Sequence, residues 1–160
     1  MYLKHLDEKG IEKLKDGVNT FDSLSVSEGA IPPLHVLKRS SELIAEGVSS
    51  IWASPYLMVK NNQIIGCCGF KSEPVLNVVE IGYNVAPEAQ GMGYATLAIE
   101  QLCQVAINSN SVKIVQALIA GHNIASLNVV IKNQFIFTGM VTDNDNEMLE
   151  CWTLSINNSN

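Results

Sequence analysis

The stretch Glu80-Ile81-Gly82-Tyr83-Asn84-Val85-Ala86-Pro87-Glu88-Ala89-Gln90-Gly91-Met92-Gly93-Tyr94-Ala95 governs how the rest of this chain is read. A strand runs into a tight glycine-containing turn, and the turn runs straight into a helix. Glycines permit positive φ and let a ligand approach the main chain closely. The free N–H groups of a helix's first turn converge on one place, and the helix dipole adds partial positive charge there. Such a joint suits a phosphate or pyrophosphate. The plainer alternative is a joint whose glycines serve only tight packing. Two nucleotide motifs are excluded. Gly91-x-Gly93-x-x-Thr96 imitates the dinucleotide fingerprint, but the acid expected at the end of the next strand is missing from Ala117-Leu118-Ile119-Ala120. A phosphate-binding P-loop fails too, because no Gly-Lys-Ser/Thr follows.

Working outward, MYLKHLD reads as a short strand and EKGIEKLKDG as a helix stopped by Gly17. Residues 18–32 read as a loop. Pro32 and Pro33 sit where a helix begins, and Leu34, Leu37, Leu43 and Ile44 recur at helical spacing up to Gly47. SIWASPYLMVKNNQIIGCCGFKS reads as two strands around the turn Lys60–Gln63, and LNVVEIGYNVA as a third. Beyond the glycine turn, QGMGYATLAIEQLCQVAIN is a helix. SVKIVQALIA, a continuous apolar run, predicts a buried central strand. A second helix starts at Asn123, and FIFTGMVT and EMLECWTLSI are strands around Asp143–Asn146. The order β-α-α-β-β-β-α-β-α-β-β predicts a mixed α/β sheet. We expect one domain over residues 1–156 and a polar tail at 157–160.

Composition narrows the function classes. The chain has 160 residues, 47% hydrophobic and 16% charged, which excludes a disordered chain. With 16 acids against 10 bases the net charge is -6, and no basic stripe points to nucleic acid. Cys67, Cys68, Cys103 and Cys151 form no disulfide framework, and His5, His35 and His122 never pair at metal-ligand spacing, so no metal is expected. No apolar run approaches the roughly 18 residues of a membrane span, and the start lacks a secretory apolar region. The expectation is a reduced, cytoplasmic protein with no membrane partner.

Two blocks carry a family resemblance. Gln90-Gly91-Met92-Gly93-Tyr94-Ala95 fits Gln/Arg-x-x-Gly-x-Gly/Ala and resembles the acyl-CoA signature of the GNAT superfamily of N-acetyltransferases. Asn123, Ser126, Val129, Lys132 and Phe135, followed by Gly139, resemble the N-x-x-S-x-x-V-x-x-K-x-x-F block of the ribosomal-protein-alanine acetyltransferase-like branch. One helix and one strand separate the blocks, as in that family. The resemblance covers residues 50–155 and the N-terminal third by position.

The resemblance implies a GNAT-like fold: a mixed, mostly antiparallel sheet with a splayed pair of strands, flanked by helices. It also implies acetyl-CoA as co-substrate. Main-chain amides of Gly91, Met92, Gly93, Tyr94 and Ala95 would hold the CoA pyrophosphate, with Gln90 framing the turn. Val85 would pair through its main chain with the pantetheine arm, and Asn123 would hydrogen-bond that region or serve simply as an N-cap. Glu80 stands where the family's bulged strand carries a general base, with a salt-bridged strand residue as its structural alternative. Ser126 stands where a hydroxyl protonates the departing thiolate, or is merely a small helix residue. The tyrosine that many relatives use for that step is Val130 here. Tyr83 and Tyr94 read as packing residues.

The acceptor is less legible. The segment 18–46 would cover it by family analogy, and Asp22, Glu28, Glu42 and Glu46 either attract a cationic amine or form a solvated acidic surface. Trp52 and Tyr56 read as core, and Cys67 and Cys68 as buried strand residues rather than nucleophiles. The function expected is acetyl transfer from acetyl-CoA to the primary amine of a small molecule or peptide, by direct attack in a ternary complex. The competing readings are a non-catalytic acyl-CoA-binding or regulatory module of the same fold, and a nucleotide-binding domain. A homodimer, common in the family, is an open possibility.

Overall fold

A computed structural model of the chain describes residues 1–156; the tail expected at 157–160 lies outside the described residues. In chain order the elements are β1 (Tyr2–His5), α1 (Glu8–Lys15), β2 (Thr20–Phe21), β3 (Leu24–Val26), α2 (Leu34–Ala45), α3 (Ser50–Ala53), β4 (Tyr56–Lys60), β5 (Gln63–Phe70) and β6 (Val78–Val85). They continue with α4 (Tyr94–Asn108), β7 (Ile114–Ala120), α5 (Ile124–Lys132), β8 (Ile136–Thr142) and β9 (Met148–Ser155).

The strands form one mixed sheet in the order β1-β4-β5-β6-β7-β9-β8, with β3 added on β5 and β2 on β3. Most neighbours are antiparallel; β6–β7 and the short β3–β5 contact are parallel. Parallel neighbours need a crossover, and α4 supplies the one between β6 and β7. Pairing of these two strands stops early: Val78, Val79 and Glu80 face Ile114, Val115 and Gln116, and no later residue of β6 is paired with β7. This is the splayed pair that the family resemblance implied.

Alternation along the strands distributes the core over both faces of the sheet. Tyr56, Met58 and Cys68 join one apolar cluster, whereas Leu57, Val59 and Cys67 join the other. Helix α4 closes the first with Ala98, Ile99, Leu102, Cys103 and Ala106, and Ile11, Leu14 and Leu37 from α1 and α2 close the second. Strand β4 is therefore buried on both faces. No residue of β7, β8 or β9 enters the second cluster.

That asymmetry corrects one expectation. Val115, Ala117 and Ile119 of β7 are buried but their alternates are only half-buried, so the strand is covered on one face rather than two. Three boundaries also differ. Residues 18–32 contain the β2–β3 hairpin, because Phe21 and Leu24 are both buried and Asp22 and Ser23 take the positive φ of a tight turn. Residues 50–53 are helical rather than extended; Ser54, ahead of Pro55, returns to extended geometry. The strand expected from Leu76 starts at Val78, since Leu76 and Asn77 form a positive-φ turn.

The packing makes a direct prediction. Leu102 is 0% exposed in the α4 interface, whereas Ile131 of α5 is 52% exposed. Leu102→Ala should lose about 2–5 kcal/mol of unfolding free energy in a urea titration, and Ile131→Ala should lose less than about 0.5 kcal/mol. Equal losses would contradict this core.

Candidate functional site

Past β6 the chain makes one 3₁₀ turn, Pro87–Ala89, and reaches α4 through residues 90–93. Gly91 and Gly93 have φ of +74° and +80°, a region that strains any residue with a β-carbon. A β-carbon placed on either glycine meets no atom within 4 Å. Main-chain conformation, not crowding, therefore demands glycine, and the ground above the loop lies open. Gly93 occupies the N-cap position of α4 with no side-chain cap. Among the described residues, the N–H groups of residues 91–96 meet no protein acceptor. Met92 stands out between the glycines, 61% exposed. Tyr94 and Ala95 begin the helix half-buried, and Tyr94 packs against the core as expected. The loop is thus a concentrated set of donors at the positive end of a helix dipole, with no acidic residue in its first turn.

The open side of β6 continues from this loop. Lys71 N–H donates to the Glu80 carbonyl at 2.9 Å and Ala86 N–H to the Ile65 carbonyl at 2.8 Å. The even-numbered residues therefore direct their main-chain groups toward β5, and beyond the last pairing with β7 Tyr83 and Val85 direct theirs into the gap. One of these groups is engaged: Gln90 Nε2 donates to the Val85 carbonyl at 3.2 Å, tying the loop to the strand end. The β5–β6 register is regular. The bulge expected on the strand of Glu80 lies instead in β5, where Ile65 is the extra residue beside the Met58/Val59 shift.

Across the gap stands α5. Asn123 Oδ1 accepts from the Ser126 N–H at 3.1 Å, so Asn123 does act as the N-cap. Tyr83 Oη donates to the Ser126 main-chain carbonyl at 3.0 Å, bridging β6 to α5 where the strands have parted. Burial pushes the Tyr83 phenol up to about 12, and its hydrogen bond to Ser126 acts in the opposite sense. Val130, the position at which the resemblance implied a tyrosine in many relatives, is 0% exposed in the core.

Glu80 is the last β6 residue paired with β7 and so marks the apex of the gap. Its Oε1 is ion-paired with Lys71 Nζ from the facing position just past the end of β5. The pair lies on the same sheet face as Gly82 and Asn84. There a cleft of about 290 Å³ opens between α2 and β5–β6, lined among others by Pro33, Arg39, Phe70, Lys71, Gly82 and Asn84. Cys67 and Cys68 reach its wall, but burial pushes the Cys67 thiol up to about 12 and the Cys68 thiol well above its ordinary value. Neither is a thiolate nucleophile.

The sequence points elsewhere for the acceptor. Asp22, Glu28, Glu42 and Glu46 are all exposed and none lines the cleft; Asp22 is held by Lys4 at 3.3 Å and Lys13 at 3.6 Å. Trp52 and Tyr56 pack in the core against Phe70, with ring centroids 4.8 Å and 6.4 Å away. Arg39 and Lys71, the residues that charge the cleft, escaped the sequence reading. The one available signal was the β5–β6 register, which sets Lys71 opposite Glu80. Among the described residues, no three His, Cys, Asp or Glu side chains group as a metal site, and no helix is long and apolar enough to cross a membrane.

Comparison with known proteins bears on this geometry. No curated protein matches the sequence significantly. Solved structures align over nearly the whole chain. The aminoglycoside acetyltransferase AAC(6')-Ib in complex with coenzyme A has 22% identity over 96% of this chain and 93% of its own, with a TM-score of 0.68. RimL, a ribosomal-protein alpha-N-acetyltransferase in complex with coenzyme A, has 17% identity over 98% and 94%, with a TM-score of 0.69. A chimera of the spermidine N-acetyltransferase SpeG from Vibrio cholerae has 12% identity over 96% and 94%, with a TM-score of 0.68. These likenesses establish the fold. The acetyltransferase (GNAT) domain model matches residues 34–136, a span that runs from α2 through the glycine loop to the start of β8. With the parted strands and the donor-lined loop inside that span, the chain belongs to the GNAT acetyltransferase family.

Proposed function

We propose that this acetyltransferase moves the acetyl group of acetyl-CoA to a primary amine by direct attack within a ternary complex. The observation that carries the reading is the continuity of three features: the unengaged N–H row at residues 91–96, the open main-chain edge of β6, and the cleft that reaches the same strand from α2. An anion on the loop, an extended arm along the edge and an amine in the cleft would meet at β6. The structural neighbours named for aminoglycoside, spermidine and ribosomal-protein acetylation have only an amine acceptor in common, and that much carries over.

In this reading the N–H groups of Gly91, Met92, Gly93, Tyr94 and Ala95 hold the CoA diphosphate, and Gln90 keeps the loop aligned by its bond to the Val85 carbonyl. Tyr83 and Val85 offer main-chain groups to the pantetheine arm. Asn123 offers the side-chain nitrogen that its capping role leaves free among the described residues. Glu80 takes the proton that the amine nitrogen loses as it bonds to the acetyl carbon. The carbon–sulfur bond breaks, the Ser126 hydroxyl delivers a proton to the departing sulfur, and solvent returns a proton to Ser126 as Glu80 releases its own. Tyr83 acts as a brace, its hydroxyl hydrogen committed to the Ser126 carbonyl.

One observation favours a second reading, an acyl-CoA-binding module without turnover: Lys71 holds the carboxylate assigned as base. Two measurements decide. Acetyl-CoA at about 100 times its dissociation constant should stabilise the protein by roughly 2.7 kcal/mol, seen as a raised melting temperature. No rise, with no heat of binding, overturns both readings. With a turned-over amine in hand, Glu80→Gln should lower kcat by about 10²–10⁴-fold while leaving acetyl-CoA affinity unchanged. Ser126→Ala should also lower kcat without loss of that affinity. An unchanged kcat for Glu80→Gln removes Glu80 from the chemistry.

A further inference from the structure

The charge of the acceptor cleft is opposite to that of the molecule. The chain carries -6 overall, yet the charged side chains lining the cleft are Arg39 and Lys71, with His35 beside them and no carboxylate. Lys71 is neutralised by Glu80. Arg39 is different: it is half-buried on α2, and among the described residues it forms neither an ion pair nor a side-chain hydrogen bond. It stands one helical turn beyond His35 and Val36, which also line the cleft, and the first turn of α2 contains no acid. The positive end of the α2 dipole therefore adds to the sign of Arg39. The rest of the lining is mostly apolar or neutral: Pro32, Pro33, Phe70, Gly82 and Asn84.

Such a cleft opposes a polycation. A spermidine or an aminoglycoside would bring several positive charges against Arg39, with the Glu80 carboxylate already paired to Lys71 and the acids of segment 18–46 turned to solvent. A guanidinium in a partly desolvated, apolar setting is instead matched by a carboxylate or phosphoryl group, which it binds through two parallel N–H donors. We infer that the acceptor is an amine that also carries an anionic group, a carboxylate or a phosphoryl, and that Arg39 recognises that group. This rests on the acetyltransferase reading above and specifies its substrate class. Reaction follows the same balance: the amine nitrogen gains the acetyl group and the anionic group takes no part.

Matched amines test it. Thiol release from acetyl-CoA would be followed with an α-amino acid against its carboxamide, phosphoethanolamine against ethanolamine, and spermidine and kanamycin as polycations, for the wild type, Arg39→Ala and Arg39→Lys. The anionic member of at least one pair should be the better substrate by about tenfold or more in kcat/KM; which pair responds separates carboxylate from phosphoryl recognition. Arg39→Ala should raise KM for that member about tenfold or more with little change in kcat, leave the neutral member unaffected, and be partly rescued by Arg39→Lys. Acetyl-CoA-induced thermal stabilisation, measured on each variant, verifies a folded co-substrate site. Polycations outrunning both anionic amines, an equal Arg39→Ala effect on both members of a pair, or weakened acetyl-CoA binding in Arg39→Ala overturns the inference while leaving acetyl transfer intact. If no amine turns over, calorimetry on the acetyl-CoA complex decides: absence of binding by both anionic amines overturns the inference. Absence of acetyl-CoA binding itself overturns the reading on which it rests.

Discussion

After Glu80 and Gln116 the two central parallel strands cease to pair, and the glycine loop, the open edge of β6 and the start of α5 are arranged around the gap that results. A main-chain edge without a ladder is costly if it is sealed from water and useful if it is not. Here the edge is kept accessible and partly tethered. Gln90 meets the Val85 carbonyl from the loop side, and Tyr83 reaches over to the Ser126 carbonyl on α5. The Tyr83 bond bridges the two margins of the opening and the Gln90 bond fixes the loop to the strand end, and both come from side chains of the strand–loop segment itself.

The electrostatics follow from local dipoles rather than from net charge. An acidic chain is a poor general attractor of anions, so any local preference for an anion has to come from oriented N–H groups at short range. The left-handed Gly91 and Gly93 aim those groups outward at the start of α4, and the absence of acids in that first turn leaves their field uncancelled. The same device recurs more weakly on α2, where Arg39 supplies a full charge. Two helix starts of like sign thus approach β6 from opposite faces of the sheet. The carboxylate of Glu80 lies at the apex of the gap, held by Lys71.

The half of the sheet beyond the gap is built differently. Strands β4 and β5 are sandwiched between α1–α2 and α4, whereas β7 is covered on one face only and β8, at the sheet edge, has no buried residue. The gap falls where double burial gives way to single burial. Rigid packing on one side and looser cover on the other lets the sheet open there without disrupting either core.

Much of this was legible in the linear chain. Positive-φ glycines ahead of a helical period, Asn123 as a cap, and β-branched runs at strand length are local properties, dictated by backbone sterics and side-chain periodicity that need no tertiary partner. Tertiary packing decided the remainder. The β2–β3 hairpin exists because Phe21 and Leu24 find a core to enter, and SVKIVQALIA lost its second cover because no helix lies over that face. The sign of the cleft between α2 and β5–β6 depends on which of many surface charges are turned inward: Arg39 and Lys71 were, and Asp22, Glu28, Glu42 and Glu46 were not. A charge's neighbours across a sheet or between layers are set by register and helix docking, and a one-residue slip in either exchanges them for others. Composition along a chain carries no record of that choice.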